Sequence, residues 1–254
     1  MCLIFIAYQA HPDFPLIVAA NRDEFYGRPT LPIHCWDDHP EICAGRDLKE
    51  GGTWMGVHQG GRFSAVTNYR SGEMATAPLS RGNLVKDMLL TAAPRLYINE
   101  RLVKESHLYG GFNLLSYDGH SLYYCSNRRE KQNQSLAPGV YGLSNGYLNG
   151  DWPKIQTGLP LFQEAINQGP DRTRLWQLLA NDQQAEDSQL PDTGIGLELE
   201  RMLSARFIQS PTYGTRASTL LFWHRNASVE MIEKSFDGKG ESGEKSVTLV
   251  LQSD

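Results

Sequence analysis

The 254-residue chain has no apolar run approaching the ~20 residues that cross a bilayer, so no transmembrane segment is expected. It has no excess of positive charge either. Lys and Arg number 24 against 29 Asp and Glu, for a net charge of −5. A general nucleic-acid or anionic-membrane binder needs clustered Lys and Arg, so no nucleic-acid partner is expected. Cysteine is scarce: Cys2, Cys35, Cys43 and Cys125 form neither a CxxC pair nor a dense framework, which fits a reducing compartment. The first apolar run has no basic flank and soon turns polar, unlike a secretory signal, and a cytoplasmic protein is expected. The seven histidines are scattered, with no HExxH and no CxxCH, and no metal site is expected. Neither a repeat nor a linker divides the chain, and residues 1–254 read as one domain.

What is present is a series of short apolar runs that break abruptly into polar residues. The run at Cys2–Tyr8 is followed by a turn through Pro12 and Pro15, and then by Leu16–Ala20 leading into Asn21-Arg22-Asp23-Glu24. This pattern predicts an antiparallel hairpin, which brings residues 21–24 beside Cys2 by chain direction alone. Thr53–His58 and Arg62–Asn68 flank Gln59-Gly60-Gly61, a glycine turn of the hairpin type. Asp118-Gly119 marks a further turn, and Gly139–Asn145 another strand ending in polar residues. Helices are expected after Ser80, between Pro94 and His107, after a cap at Asp151, over residues 173–179 and over residues 197–204. The segment from Thr30 to Pro40 reads as a proline-punctuated loop. Strands early and late with helices in the middle predict an α+β fold of two stacked antiparallel sheets with helices outside.

Cys2 has a specific chemical potential. If Met1 is removed, it carries a thiol and a free α-amine. The amine titrates near ~7.7–8 and the thiol near ~8.5, so the amine can act as base to its own thiol. The alternative is a cysteine simply packed in a strand, which is the commoner role of this residue.

Several separated motifs then occur in a fixed order. They are Asn21-Arg22-Asp23-Glu24 behind an N-terminal Met-Cys, Gly51-Gly52-Thr53-Trp54-Met55-Gly56, Thr67-Asn68-Tyr69-Arg70, Gly111-Phe112-Asn113-Leu114, Leu143-Ser144-Asn145, and Tyr213-Gly214-Thr215-Arg216-Ala217-Ser218-Thr219. Through them the chain resembles the NRDE family, also called the transport and Golgi organisation protein 2 family, over nearly its whole length. The resemblance implies a four-layer αββα, N-terminal nucleophile hydrolase-like fold. It also implies a link to haem trafficking or to lipid and acyl-CoA metabolism. A more distant resemblance is to penicillin V acylase and bile-salt hydrolase enzymes, whose catalytic set Cys2, Asp23, Asn68, Asn145 and Arg216 are similar to in kind and order. Those enzymes separate their Arg and Asp by two residues, whereas Arg22 and Asp23 are adjacent. On a regular strand, Asn21 and Asp23 face one way and Arg22 and Glu24 the other.

Two functions follow as expectations. In the first, Cys2 attacks a linear amide or related acyl bond, Asp23 orients the α-ammonium, and Asn145 with Asn68 holds the oxyanion. Arg216 serves the site electrostatically, and Asn21, Arg22 and Arg70 bind substrate. No cofactor is required. In the second, the chain is a non-catalytic carrier of haem or an acyl lipid. His11, His34, His39 and His58 are then candidate ligands, and Trp54, Phe25 and Tyr26 candidate walls.

Overall fold

In the computed structural model, residues 2–72, 77–128 and 133–252 are described. The predicted hairpin forms. β1 (Cys2–Tyr8) pairs antiparallel with β2 (Leu16–Phe25), with Cys2 opposite Arg22 and Tyr8 opposite Leu16. In the second sheet, β3 (Thr30–Cys35), β4 (Ile42–Asp47), β5 (Met55–His58), β6 (Arg62–Asn68), β7 (Phe112–Tyr117), β8 (Leu122–Ser126) and β9 (Asn133–Ser135) pair in chain order. The chain then returns through β10 (Gly139–Leu143) to the outer side of β1. It later adds β11 (Tyr213–His224), β12 (Ser228–Asp237) and β13 (Gly240–Val250) beyond β2, for a spatial order β10-β1-β2-β11-β12-β13.

Burial divides by strand parity. Ile4, Ile6 and Tyr8 of β1 join Leu16, Val18 and Ala20 of β2 in the core between the two sheets, against Val57, Phe63 and Leu115 of the second sheet. Leu3, Phe5 and Ala7 face the opposite way, into a second core under α4 (Pro153–Asn167) and α5 (Arg172–Leu179). A strand covered on both faces reads as a continuous apolar run, which is why Cys2–Tyr8 lacks alternation. A third core packs α1 (Arg81–Leu90) and the helical stretch from α2 (Pro94–Leu96) through a π-helical turn (Tyr97–Leu102) to α3 (Val103–Glu105) on the outside of the second sheet. The layers are therefore helix, sheet, sheet, helix, as expected. Each fully buried Leu, Ile or Phe contributes roughly 1.5–3 kcal/mol to holding them together. A further helix, α6 (Leu197–Ser204), follows the polar segment after α5. No helix among the described residues is long and apolar enough to cross a membrane.

Three local expectations are corrected. Residues 30–35 form a strand, not a loop. Pro32 is tolerated because β3 lies at the sheet edge and its register with β4 is broken between Leu31 and His34. α4 is preceded by Trp152, not capped by Asp151, although Pro153 does open its first turn. Cys35 and Cys43, read as outside any disulfide framework, stand directly opposite one another across β3 and β4 and are joined as a disulfide.

The cleft end of the second sheet is fixed to α1 by a glycine contact. The Thr53 amide donates to the Gly82 carbonyl at 3.2 Å, and a Cβ built on Gly52 falls onto the backbone of Gly82 and Asn83. Gly52→Ala must push the β5 hairpin off the helix, at a cost of about 1–3 kcal/mol. A fall in Tm of several degrees is expected, whereas Gly27→Ala, with nothing within 4 Å of its Cβ, leaves Tm unchanged.

Candidate active site

Cys2 begins β1 and shares a sheet face with Arg22, its direct partner on β2. The two look into a cleft of about 1020 Å³ at one end of the two sheets, whose lining includes Cys2, Arg22, Glu24, Asn68, Arg81 and Arg216. Cys2 is 7% exposed, and burial pushes its thiol above the ordinary value. Asp23 and Glu24 act in the same direction, and Arg22 opposes them. Arg22 and Glu24 approach to 4.0 Å along their shared face.

The far wall is built by a polar joint between the sheets. β6 ends at Asn68 and β10 ends at Leu143. The Arg70 amide donates to the Asn145 carbonyl at 2.7 Å, and Asn145 Nδ2 donates to the Asn68 carbonyl at 2.9 Å. Thr67 Oγ1 donates to the Ser144 carbonyl at 2.6 Å, and Ser144 Oγ donates to the carbonyl of Cys2 at 3.1 Å. Asn113 Nδ2 ties in Gly146, and Tyr124 donates to Asn113 Oδ1. The side-chain amide of Asn68 lies in the cleft wall and makes no hydrogen bond to the described protein. That leaves its NH2 available to a group bound beside Cys2. Asn145 is fully buried behind it and positions it from the rear.

Asp23 lies one residue along from Arg22, and its side chain takes the other face of β2. Its Oδ1 accepts from Thr215 Oγ1 at 2.8 Å, in a compartment beneath the sheet that also holds Lys154, Arg70 and Glu200. Burial pushes the Asp23 carboxyl above its ordinary value, and the Lys154 ammonium pulls against that rise without cancelling it. Arg70 and Glu200 pair at 2.5 Å, with Arg70 stacked 4.3 Å over Trp152.

Placement of the predicted residues is thus uneven. Cys2, Arg22, Asp23, Asn68 and Arg216 all contribute to one cleft, with Asn145 directly behind it. Arg216 occupies the bulge where β11 shifts register against β2, and its guanidinium is committed to the carbonyls of Phe25, Tyr26, Arg28 and Phe236. Asn21 and Arg70, expected to bind substrate, do not line the cleft. Asn21 is fully buried on the helix side, donating to the Leu179 and Arg206 carbonyls and accepting from Ser218. Arg70 belongs to the compartment beneath the sheet. Met1, on whose removal the chemistry of Cys2 turns, lies outside the described residues.

Comparison with known proteins follows the same lines. A family model described as Transport and Golgi organisation 2 matches residues 1–238. The chain belongs to this family. It is 36% identical to the Transport and Golgi organization protein 2 homolog of Bos taurus, covering 94% of each chain. It is 27% identical to Transport and Golgi organization protein 2 of Drosophila melanogaster, covering 98% of this chain and 97% of that one. A mutant conjugated bile acid hydrolase from Clostridium perfringens shares the fold, with a TM-score of 0.56 at 8% identity over 97% of this chain and 92% of that one. The fold is therefore that of the N-terminal nucleophile hydrolases.

Two residues of this Transport and Golgi organisation 2 chain went unnoticed in the sequence. Lys154, in the first turn of α4, is buried beneath β1 and β2. Glu233, on β12, is 3% exposed in the cleft floor. It accepts from the Ile33 amide of the facing sheet at 3.1 Å, and so ties β12 to β3. Only its place in an alternating strand, two residues from buried Met231, hinted that it faces inward. Among the described residues no cluster of His, Cys, Asp and Glu is placed to hold a metal ion.

Burial pushes the Glu233 carboxyl up to about 7 from 4.5. A raised acid favours the folded state at pH below 4.5, and that contribution is lost as pH rises through 7. Glu233→Gln keeps an acceptor for Ile33 without the charge. It should raise Tm relative to wild type at pH 8, by an amount reflecting up to about 3 kcal/mol, and leave Tm unchanged at pH 4. Scanning calorimetry at both pH values checks this.

Proposed function

We propose that this chain is an N-terminal cysteine hydrolase of a linear amide or related acyl bond. The observation that carries the reading is the meeting of Cys2 and the uncommitted amide of Asn68 in one cleft, opposite Arg22. With Met1 removed, the α-amine of Cys2 takes the thiol proton and Sγ attacks the acyl carbon. Asn68 Nδ2 donates to the oxygen as it becomes negative, an interaction worth roughly 3 kcal/mol when the donor is preorganised. The C–N bond breaks, and the leaving amine takes the proton back from the α-ammonium. Water, deprotonated by the same amine, then hydrolyses the thioester and restores the thiol. Asp23 holds the ammonium in place. Arg22, beside Cys2, favours the thiolate and can meet a substrate carboxylate. No cofactor enters any of these steps. The shared fold of the bile acid hydrolase is consistent with such chemistry.

Carriage of haem or an acyl lipid is the competing reading. Of the walls that reading named, Trp54 lines the cleft and Phe25 and Tyr26 do not. Among the described residues the cleft lining includes no histidine, so iron would take Cys2 or Tyr69, and charged side chains such as Arg22, Arg28, Asp47 and Glu233 interrupt the apolar walls that a macrocycle needs.

The test is release from a panel of acyl p-nitroanilides and acyl thioesters. Cys2→Ala should abolish turnover. Asn68→Ala should lower kcat by about 100-fold with little change in KM, because the donor acts mainly in the transition state. Absence of turnover, together with a haem Soret band that shifts on Cys2→Ser, would replace the enzyme by the carrier.

A further inference from the structure

Beneath the nucleophile lies a charged compartment that the hydrolytic steps above leave unused. Its most unusual member is Lys154, in the first turn of α4. The helix presses there against β10 and its exit: a Cβ on Gly142 would meet Ile155, and one on Gly146 would meet Trp152. The Lys154 side chain is 2% exposed, and its Nζ has no hydrogen-bond partner among the described residues. A buried ammonium with nothing to donate to is costly and persists only where another charge or function offsets it. Surrounding titratable groups come from every neighbouring element: Cys2 from β1, Asp23 from β2, Arg70 after β6, Glu200 from α6, and Tyr213 from β11 beside Asp23. Arg70 is committed to Glu200 at 2.5 Å, and Glu200 also accepts from Thr193. Among the described residues Lys154 makes no direct ion pair, and Asp23 is the charge that acts on it most strongly.

We propose that Lys154 is a positioning residue for Cys2: its buried ammonium holds Asp23 as a carboxylate and, through Asp23, holds the α-amine of Cys2 in place. This rests on the hydrolase reading, with its loss of Met1, at the Cys2 end; the placing of Lys154 beside Asp23 does not depend on it. Asp23 is fully buried, and burial pushes its carboxyl above the ordinary value; a nearby cation pulls it back toward the carboxylate that anchors the α-ammonium, and Lys154 does so ahead of Thr215 and Arg70. Lys154 supplies that cation from the side opposite the cleft, where no substrate can displace it. Burial brings its own ammonium down to about 8, so the support is full at neutral pH and fades above it.

The experiment follows the side-chain carboxyl carbon of Asp23 by 13C NMR against pH, with the signal assigned through Asp23→Asn. Lys154→Met should raise the titration midpoint of Asp23 by at least one pH unit, about a ten-fold change in its protonation equilibrium. Lys154→Arg, which keeps the charge, should leave the midpoint near that of wild type. A midpoint unmoved by Lys154→Met overturns the proposal. Should Lys154→Met fail to fold, the 15Nζ signal of Lys154 in the intact protein decides instead: titration near pH 8 that moves on Asp23→Asn supports the coupling, and titration unchanged by that variant overturns it. Neither readout needs turnover. A moved midpoint with no hydrolysis of any acyl substrate would fault the enzyme reading alone.

Discussion

The cleft exists because two sheets of separate chain origin are joined at one end by hydrogen bonds and left apart beyond it. The joint is small. Asn145 links to both Asn68 and Arg70, Thr67 to Ser144, and Ser144 to the carbonyl of Cys2. Apolar packing between the sheets supplies most of the stability, but it is non-directional and cannot set which residues of β6 and β10 stand beside Cys2. The joint does so because its bonds use buried or half-buried donors and acceptors that would be expensive to leave unmade. Its members are short polar residues at strand ends, and their constancy of geometry is what makes Asn68 available to the cleft instead of to the protein.

A second constraint is strand parity. Arg22 and Asp23 are neighbours in sequence and therefore on opposite faces of β2. Arg22 looks into the cleft beside Cys2, and Asp23 looks beneath the sheet toward Lys154. A hydrolase built on this strand would therefore approach its nucleophile from two sides: Arg22, Glu24 and Asn68 around the thiol, Asp23 and Lys154 below the amine. β2 stays regular to Phe25, and the irregularity falls instead on its neighbour, where Arg216 bulges out of register. The bulge sends that guanidinium to a row of backbone carbonyls, so its plainest work is to hold the segment after β2 against β12.

Much of this was legible in the residues. The β1–β2 hairpin follows from two apolar runs and a proline turn, and its antiparallel sense alone places Asn21–Glu24 beside Cys2. Asn68 and Asn145 stood out because apolar strands broke into polar residues there. The order in which those two amides approach the cleft was not legible, since it depends on how separate sheets meet. Asn21 and Arg70 were misplaced for a related reason: polar side chains near a site can be satisfied from behind, by Leu179, Arg206 and Glu200, which are distant in sequence. β3 was hidden by Pro32, which a sheet edge tolerates. Lys154 carried no signal, because a lysine in the first turn of a helix normally reads as solvated.

If Cys2 is the nucleophile, the protein must lose Met1 and must carry an acyl group on that residue during reaction. Intact mass and peptide mapping of protein from its native cell, before and during exposure to p-nitrophenyl acetate, examine both at once. The expected result is a mature chain beginning at Cys2, with a single acetyl group on Cys2 that disappears as the ester is consumed. Retention of Met1, or acetylation confined to other residues, would contradict it.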